Sequence, residues 1–385
     1  MKKKKVLING VWFTYDSEKS QLISIENCSD DPVDIHVPRE MPDGTIINII
    51  GNSAFKGTFK KVSFDCGMAF KQTFKGAVID TVVWPSSNTE IPRCCFYYAC
   101  IRSLTGIDGV VKVGDMAFSG SEFSDFHWPA GAVVIPEQCF SFSKIKCFTG
   151  LENVTKVKES AFKGTEFYSF TWPSKAKVIP ASCFGDSSIE YINGIENITT
   201  IGESAFSYSN IKEFTWPAKA TQIPASCFRG CPNLKKIAGI ENVKAIEPCA
   251  FEGSGITVFA WPKKVNKISQ FCFVDSHLEE ITGIDGVLSI GESAFEGTWL
   301  KTFEWPEGAK IVPDKCFYLS RIEAVSGTQC ITDIGSSAFG KTPLASLDLS
   351  SNLIVKIGKG AFEGIDSNNI VKPFYIKEED FADCF

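Results

Sequence analysis

The stretch Ile211-Lys-Glu-Phe-Thr-Trp-Pro217 carries the signal that decides the fold, because its Trp-Pro pair returns along the chain at a nearly constant interval. The pair occurs six times, and successive tryptophans are 44 or 45 residues apart. These tryptophans are Trp84, Trp128, Trp172, Trp216, Trp261 and Trp305. Self-similarity at a fixed period is the signature of an array in which each unit stacks on its neighbours. The period therefore predicts one elongated domain with caps rather than several globular domains.

Phenylalanines divide the 44-residue unit into two coils. One class follows alanine and the other follows cysteine, and together they recur every 22 or 23 residues. The two classes include Phe118, Phe162, Phe206, Phe251, Phe295 and Phe339, and Phe96, Phe140, Phe184, Phe228, Phe273 and Phe317. This period predicts a leucine-rich-repeat solenoid of about 14 coils arranged as 44-residue doublets. We expect a curved parallel β-sheet on the concave side, short helical or 3₁₀ turns on the other, and a buried spine of phenylalanines.

Each coil opens with an apolar pattern typical of a short parallel strand. In Ile211–Trp216, positions 1, 4 and 6 are apolar and are predicted to turn inward. The alternate coil, Leu234–Gly239, places glycine at position 6 where its neighbour has tryptophan. Because neighbouring strands lie about 4.8 Å apart, we expect each indole to spread over the glycine of the adjacent coil.

Both ends of the chain are predicted to cap the array, because an open solenoid end exposes apolar surface and unpaired backbone groups. Residues 1–54 form the predicted N-terminal cap, in which Val6–Phe13 and Gln21–Ile25 pair as a β-hairpin before a degenerate first repeat. Residues 55–364 form the solenoid. Residues 365–385, with the acidic run Glu378, Glu379 and Asp380, form the predicted C-terminal cap.

The segments Ile201-Gly-Glu-Ser-Ala-Phe206 and Ile290-Gly-Glu-Ser-Ala-Phe295 resemble the I-G-x-x-A-F core of BspA-type leucine-rich repeats. The likeness recurs in register over roughly residues 46–364. Proteins of this type occur in oral and gut bacteria and in parasitic protists, and the resemblance implies surface adhesion and protein binding. The tryptophan and glycine at position 6 depart from the family pattern and suggest a subfamily.

Composition and charge exclude several classes of function. The net charge of −6 gives no basic footprint for nucleic acid. We expect the basic tip Lys2–Lys5 to be solvated. The sequence contains neither a convincing signal-peptide core nor a run of about 18 apolar residues. These signals alone predict a cytoplasmic protein, whereas the family resemblance implies a cell surface.

The segment Gly335-Ser-Ser-Ala-Phe-Gly-Lys-Thr342 matches the phosphate-loop pattern G-x-x-x-x-G-K-[ST]. Its context argues against nucleotide binding, because Gly335 aligns with Gly202 of another repeat and Phe339 belongs to the spine. A phosphate loop leads into a long helix, whereas Pro343 and a predicted strand follow here. A nucleotide-dependent regulator or enzyme is therefore the weakest of the functional hypotheses.

The 15 cysteines and three histidines also predict no catalytic, metal or cofactor site. One cysteine column repeats in alternate coils, about 9–10 Å apart, which is too far for disulfides. It consists of Cys95, Cys139, Cys183, Cys227, Cys272 and Cys316, and we expect it to be buried. Cys147 falls at an outward strand position and is predicted to be the most reactive thiol. No Cys-His or Ser-His arrangement recurs with the geometry of a triad.

The outward strand positions are the predicted binding surface. No residue type repeats along them, which favours an irregular protein partner over a regular polymer. The predicted partner-binding residues are Asp125, His127, Tyr168, Lys212, Glu213, Lys235, Lys236, Glu279, Glu280, Lys301 and Glu304. The sequence predicts a non-enzymatic protein-binding solenoid, with surface adhesion or host interaction as the first hypothesis and an intracellular scaffold as the alternative.

Overall fold

The computed structural model describes residues 2–377 and 381–385, which divide into two compact units, Met1–Gly194 and Ile195–Phe385. The chain winds as a parallel β-solenoid in each unit. The described residues of the two units together make about 15 turns. Each regular coil contributes a first strand and, after a bend, a two-residue second strand. The predicted leucine-rich-repeat solenoid is confirmed.

In the first unit, an antiparallel meander precedes the coils. Its strands are Lys3–Ile8, Val11–Asp16 and Gln21–Asn27. The first strands of the coils are Val33–Val37, Thr58–Phe64, Val78–Val83, Cys100–Thr105, Glu122–His127, Lys144–Thr149, Ser169–Thr171 and Tyr191–Asn193. The second strands are Ile49–Ile50, Phe55–Lys56, Ala69–Phe70, Glu90–Ile91, Lys112–Val113, Val134–Ile135, Lys156–Val157 and Val178–Ile179.

In the second unit the same two kinds of strand alternate. The first strands are Glu213–Thr215, Lys236–Ala238, Val258–Ala260, Glu280–Thr282, Thr302–Glu304, Ala324–Ser326, Leu347–Asp348 and Ile370–Val371. The second strands are Thr200–Ile201, Gln222–Ile223, Ala245–Ile246, Lys267–Ile268, Ser289–Ile290, Ile311–Val312, Asp333–Ile334 and Lys356–Ile357. Two 3₁₀ helices, Thr328–Cys330 and Ser367–Asn369, complete the unit.

The inward positions of the first strands are confirmed. Ile211, Phe214 and Trp216 are all buried. Alternation along the extended chain turns Phe214 and Trp216 to the same side, whereas Ile211 lies before the strand Glu213–Thr215. The buried indole also satisfies its polar group, since Trp216 Nε1 donates a hydrogen bond to Ala220 O at 2.7 Å. The same bond recurs at the other Trp-Pro coils, so each tryptophan fixes the bend that follows its strand.

The phenylalanine spine is also confirmed, as a ladder of parallel rings in each unit. From Phe74 to Phe184, adjacent rings have centroids 4.7 to 5.9 Å apart and planes within 14°. From Phe206 to Phe362 the centroid distances are 5.5 to 6.0 Å, and the ring planes lie within 13° of each other. Stacked aromatic pairs add roughly 0.5–1.5 kcal/mol each beyond the area that they bury.

The segments that carry the spine are hydrogen-bonded turns, so the predicted helical turns are wrong there. Ser204, before Ala205-Phe206, has φ of 55°, which a right-handed helix does not allow. Phe206 N donates to Cys227 O of the next coil at 3.0 Å, whereas Ser207 N donates within its own turn to Ser204 O. Alternation of these two kinds of hydrogen bond satisfies the backbone N–H and C=O groups of the turn without a helix.

The explanation for the tryptophan and glycine alternation is corrected by the structure. A Cβ on Gly239 would lie 2.7 Å from the backbone oxygen of Trp216, and φ is +76°. A Cβ on the corresponding Gly106 or Gly150 would lie 2.5 or 2.6 Å from the backbone oxygen of Trp84 or Trp128. These glycines are therefore required by left-handed backbone and by close approach to a main chain, rather than by a large indole above them.

The N-terminal hairpin is present, but Val6–Phe13 is not one strand. Asn9 and Gly10, with φ of 48° and 81°, turn Lys3–Ile8 back onto Val11–Asp16. An Asn-Gly pair with positive φ at both residues is typical of a two-residue hairpin turn. The strand Gln21–Asn27 then pairs antiparallel with Val11–Asp16 and parallel with Ile49–Ile50 and Phe55–Lys56, which joins the meander to the array.

Two lysines of the basic tip form ion pairs, so the tip is not wholly solvated. Lys4 Nζ lies 2.5 Å from a carboxylate oxygen of Asp43, and Lys5 Nζ lies 3.3 Å from Glu26. The hydrogen bond from Lys4 is the main reason why the pKa of Asp43 is held below its usual range. At the other end, Phe381 and Phe385 pack on Phe362. The predicted acidic run Glu378, Glu379 and Asp380 lies outside the described residues.

Candidate binding face

The predicted binding residues of the first unit lie on the solvent side of the first strands. Asp125 and His127 are exposed on the strand Glu122–His127, on either side of the buried Phe126. His127 Nδ1 is 3.0 Å from Thr149 Oγ1 on the neighbouring strand. Tyr168 precedes the strand Ser169–Thr171, and 63% of its surface is exposed. We name the solvent side of these strands the binding face.

A groove with a volume of about 570 Å³ crosses the start of the binding face over five neighbouring coils. Tyr168 lies in it, whereas Asp125 and His127 do not. The charged residues that line it are Asp80, Arg102, Glu122, Lys144, Lys146 and Glu166. The binding residues were predicted from outward strand positions 2, 3 and 5, which do not include Glu122, Lys144 and Glu166. Each of these residues directly precedes position 1 of its strand. Their charges alternate in sign at 22-residue intervals, and this pattern in the sequence could have predicted them.

The charges of the groove pair across neighbouring strands. Lys144 Nζ lies 3.2 Å from Glu122 Oε1, and Arg102 lies 3.9 Å from Asp80. Both pairs are largely exposed, and exposed pairs contribute only about 0–1 kcal/mol. A partner can therefore exchange its own charges for these at little cost in free energy.

Tyr168, which lines the groove, forms an aromatic patch at its end with Tyr191. The ring centroids of Tyr168 and Tyr191 lie 5.6 Å apart, and 37% of Tyr191 is exposed. Tyrosine combines a large apolar ring with a hydroxyl, and it is enriched among residues that contribute most to protein–protein binding. The patch is the strongest candidate for an anchoring contact on the binding face of the first unit.

In the second unit, the predicted residues also lie on the first strands or directly before them. Glu213 and Lys236 are opposite each other on paired strands, with Lys212 half-buried and Lys235 exposed beside them. The other predicted residues are the exposed Glu279, Glu280, Lys301 and Glu304. Lys301 Nζ lies 3.5 Å from Glu323, and Glu304 lines a cavity of about 380 Å³ with Asp285 and Glu307. Of the eight predicted residues of this unit, this cavity contains only Glu304.

The segment Gly335–Thr342 is a coil turn, as its context predicted. Phe339 stacks between Phe317 and Phe362. The amides of Ser337, Phe339 and Lys341 donate to carbonyl oxygens of the next coil at 2.6 to 3.1 Å. Because a phosphate loop binds through free amides at the start of a helix, this segment lacks the donors that a phosphate would need.

The cysteine column is buried, as predicted. All six members have no exposed surface, and burial raises the pKa of each thiol. Cys231 is buried too, and desolvation raises its pKa to about 11. The thiolate is the reactive form of cysteine, so these side chains act as small apolar core residues.

Alkylation rates are expected to separate the exposed thiols from the buried ones. With iodoacetamide at about pH 8, near the ordinary cysteine pKa, we expect Cys147 to react before Cys100, although both are exposed on strands of the same sheet. Partial burial and the negative charge of Glu122 raise the pKa of Cys100, which lowers its thiolate fraction. The buried column is expected to react only after unfolding. A mass-spectrometric time course that shows equal rates for Cys100 and Cys147 would contradict this account.

Residues 2–377 and 381–385 carry no arrangement typical of a metal centre or of a membrane-spanning helix. Within them, no group of three or more His, Cys, Asp or Glu side chains is arranged to hold a metal ion. Among the same residues, no helix has the length and apolar character needed to cross a bilayer.

The stacked coils, each with a parallel first strand and an inward phenylalanine, define a leucine-rich-repeat protein. The BspA type leucine rich repeat region, in six copies, matches residues 70–190, 155–279 and 266–385. The chain therefore belongs to the BspA-type leucine-rich-repeat family, as the I-G-x-x-A-F segments predicted. A search of curated proteins found no match.

Solved structures of bacterial proteins share the fold. A leucine-rich repeat protein from Bacteroides ovatus is 20% identical with a TM-score of 0.61, and the comparison covers 93% of this chain and 92% of that chain. The pneumococcal vaccine antigen PcpA is 14% identical with a TM-score of 0.50, over 96% of this chain and 98% of that chain. At these identities the likeness establishes the fold alone.

Proposed function

We propose that this protein is a non-enzymatic leucine-rich-repeat solenoid that binds another protein, in an adhesion or host-interaction role at a cell surface. In this proposal residues 1–54 and 365–385 cap a solenoid of residues 55–364. The observation that carries it is the groove of the binding face, where exposed ion pairs lie beside the Tyr168–Tyr191 patch. Cross-strand pairing orders the backbone that carries these side chains, so little backbone entropy is lost on binding.

Two considerations support a protein partner. The side chains of the binding face are irregular from coil to coil, unlike the repeated core, which suits an irregular surface better than a repeating polymer. Family membership adds the association of BspA-type proteins with surface adhesion and protein binding. The predicted residues Asp125, His127 and Tyr168 belong to this proposal in the first unit. In the second unit, the proposed contacts are Lys212, Glu213, Lys235, Lys236, Glu279, Glu280, Lys301 and Glu304.

Loss of the tyrosine patch is expected to abolish most of the binding. Fluorescently labelled protein is titrated onto intact epithelial cells and measured by flow cytometry. The double variant Tyr168→Ala/Tyr191→Ala should bind at least about tenfold more weakly, because truncating an anchoring tyrosine typically costs about 2 kcal/mol or more. The control Tyr98→Ala/Tyr208→Ala removes two exposed tyrosines from the outer turns. Equal binding by both variants, or no saturable binding of the natural protein, would contradict the proposal.

The surface location has its own test. Antibody staining of intact and permeabilised cells of the source organism is expected to give signal on intact cells. Signal that appears only after permeabilisation would favour the alternative of an intracellular scaffold that uses the same face.

A further inference from the structure

The strand Lys3–Ile8 lies at the end of its sheet and has an open edge. It pairs with Val11–Asp16 on one side, and no strand of the described residues lies on its other side in the sheet. The strand is six residues long, and its residues alternate between exposed and half-buried. We name its unpaired side the cap edge. None of its residues belongs to the binding face, so the cap edge is a separate surface.

The register of the hairpin determines which backbone groups point outward at the cap edge. Ile8 and Val11 flank the two-residue turn, so they form a hydrogen-bonded pair. Bonded and non-bonded pairs alternate along an antiparallel ladder. Lys2 O accepts from Ser17 N at 3.3 Å, which continues the bonded set of even-numbered residues. The residues whose N–H and C=O groups point away from the partner strand are therefore Lys3, Lys5 and Leu7.

The side chains of these three outward residues lie on one face of the sheet. Leu7 is opposite Trp12 in the register, and 52% of Leu7 is exposed. Lys5 Nζ lies 4.9 Å from the centre of the Trp12 ring. A strand added at the cap edge would place a side chain beside Leu7. An apolar residue there would extend the row that Leu7 and Trp12 form across the strands.

Carboxylates within the cap compensate two of the three lysines of the strand. Lys4 and Lys5 have carboxylate partners at 2.5 and 3.3 Å. Lys3 is opposite Asp16, a buried residue whose carboxylate accepts from two backbone amides of the following turn. Lys3 itself is exposed and forms no ion pair with any residue that the structure describes. Positive charge therefore remains at the end of the cap edge away from Leu7.

We propose that the cap edge binds an extended segment of a partner protein as an added antiparallel β-strand, with acidic side chains near Lys3 and an apolar side chain beside Leu7. Main-chain hydrogen bonds supply the affinity in this mode of recognition, and side chains at alternate positions supply the specificity. A second copy of the strand would bring six lysines together, three from each strand. Charge complementarity therefore favours an acidic segment over self-pairing. The site goes beyond the proposed function, because it lies on the meander rather than on the coils.

The test uses the full chain and the fluorescein-labelled peptide Val-Thr-Val-Thr-Glu-Thr-Glu-Thr, with binding followed by fluorescence anisotropy. In antiparallel pairing this peptide places valine beside Leu7 and glutamates beside Lys5 and Lys3, and we expect saturable binding. The same peptide with every backbone nitrogen methylated keeps its charge but cannot donate main-chain hydrogen bonds. It should bind at least about tenfold more weakly, because those bonds supply the affinity.

A proline at the centre of the cap edge tests the same contact from the side of the protein. Lys5→Pro removes an outward N–H, and its ring occupies the space of an added strand. The hairpin ladder keeps its bonds, because an edge strand tolerates proline where the N–H faces solvent. Lys5→Pro should weaken binding at least about tenfold. The matched control Lys5→Gln loses the same charge but keeps the N–H, so its affinity should stay within about threefold of the natural protein's, since an exposed charge contributes little.

Thermal unfolding of both variants, with the methylated peptide on the natural protein, separates loss of binding from loss of fold. Three results would overturn the proposal: absence of saturable binding, equal affinity for the methylated peptide, or equal weakening by Lys5→Pro and Lys5→Gln. Equal affinity for a peptide with glutamine in place of glutamate would also overturn it, because the segment would then need no acidic side chains. A dimer in sedimentation that Lys5→Pro dissociates would assign the cap edge to a second copy instead.

Discussion

Replacement of Phe140 by alanine is expected to lower the free energy of unfolding by about 3–5 kcal/mol, the range for truncation of a buried phenylalanine. Phe140 has no exposed surface and lies between Phe118 and Phe162, with ring centroids at 5.2 and 5.9 Å. It also contacts Phe148 edge to face at 5.0 Å. The loss should approach the upper end of the range, because one truncation interrupts the ring ladder on both sides.

The neighbouring Phe142 supplies a matched control two residues away. This residue is 54% exposed, and its φ of 57° lies in the left-handed region. Phe142→Ala should change the free energy of unfolding by no more than about 0.5 kcal/mol, as surface substitutions do. Urea denaturation followed by circular dichroism measures both variants. If Phe140→Ala and Phe142→Ala were equally destabilised, the ladder would not be the source of stability.

The fold could be predicted from the sequence because a stacked array repeats its core chemistry. Every coil must bury a phenylalanine and an inward strand face, so Phe206, Phe214 and Trp216 recur in phase and disclose their positions. The cysteine column was predictable for the same reason. The local turn was not, since left-handed backbone at Ser204 has no strong residue preference there and shows only in the φ angle.

The binding face could be predicted only in part, because its chemistry does not repeat. Tyr168 was found from its strand position, whereas its partner Tyr191 and the groove residues Glu122 and Lys144 were not. Which exposed residues meet depends on the cross-strand register, Glu122 opposite Lys144, and on side-chain reach. Neither is encoded by the period of the core.

Substitution of Gly239 is expected to be the second most damaging change, and its size dependence distinguishes two physical causes. Left-handed backbone costs a residue with a Cβ roughly 1–2 kcal/mol, and overpacking adds roughly 1–3 kcal/mol. Gly239→Ala should therefore lower the free energy of unfolding by about 2–5 kcal/mol, because its Cβ would meet Trp216 O at 2.7 Å. Both the left-handed backbone and the contact with Trp216 O penalise Cβ alone. Gly239→Leu should therefore lower the free energy of unfolding little more than Gly239→Ala.

Two other glycines isolate the contributions to this cost. Gly76 has φ of +68° with open space around it, so Gly76→Ala should show only the conformational cost of roughly 1–2 kcal/mol. Gly286 has open space and no left-handed backbone, so Gly286→Ala should be nearly neutral. Urea denaturation of all four variants tests this order. If Gly239→Ala were mildly destabilising and Gly239→Leu severely so, the indole of Trp216 rather than its carbonyl would be the steric obstacle. We expect this order because an added methyl group would meet the main-chain carbonyl of Trp216, in a segment that the hydrogen bond from Trp216 N to Ala238 O ties to the neighbouring coil.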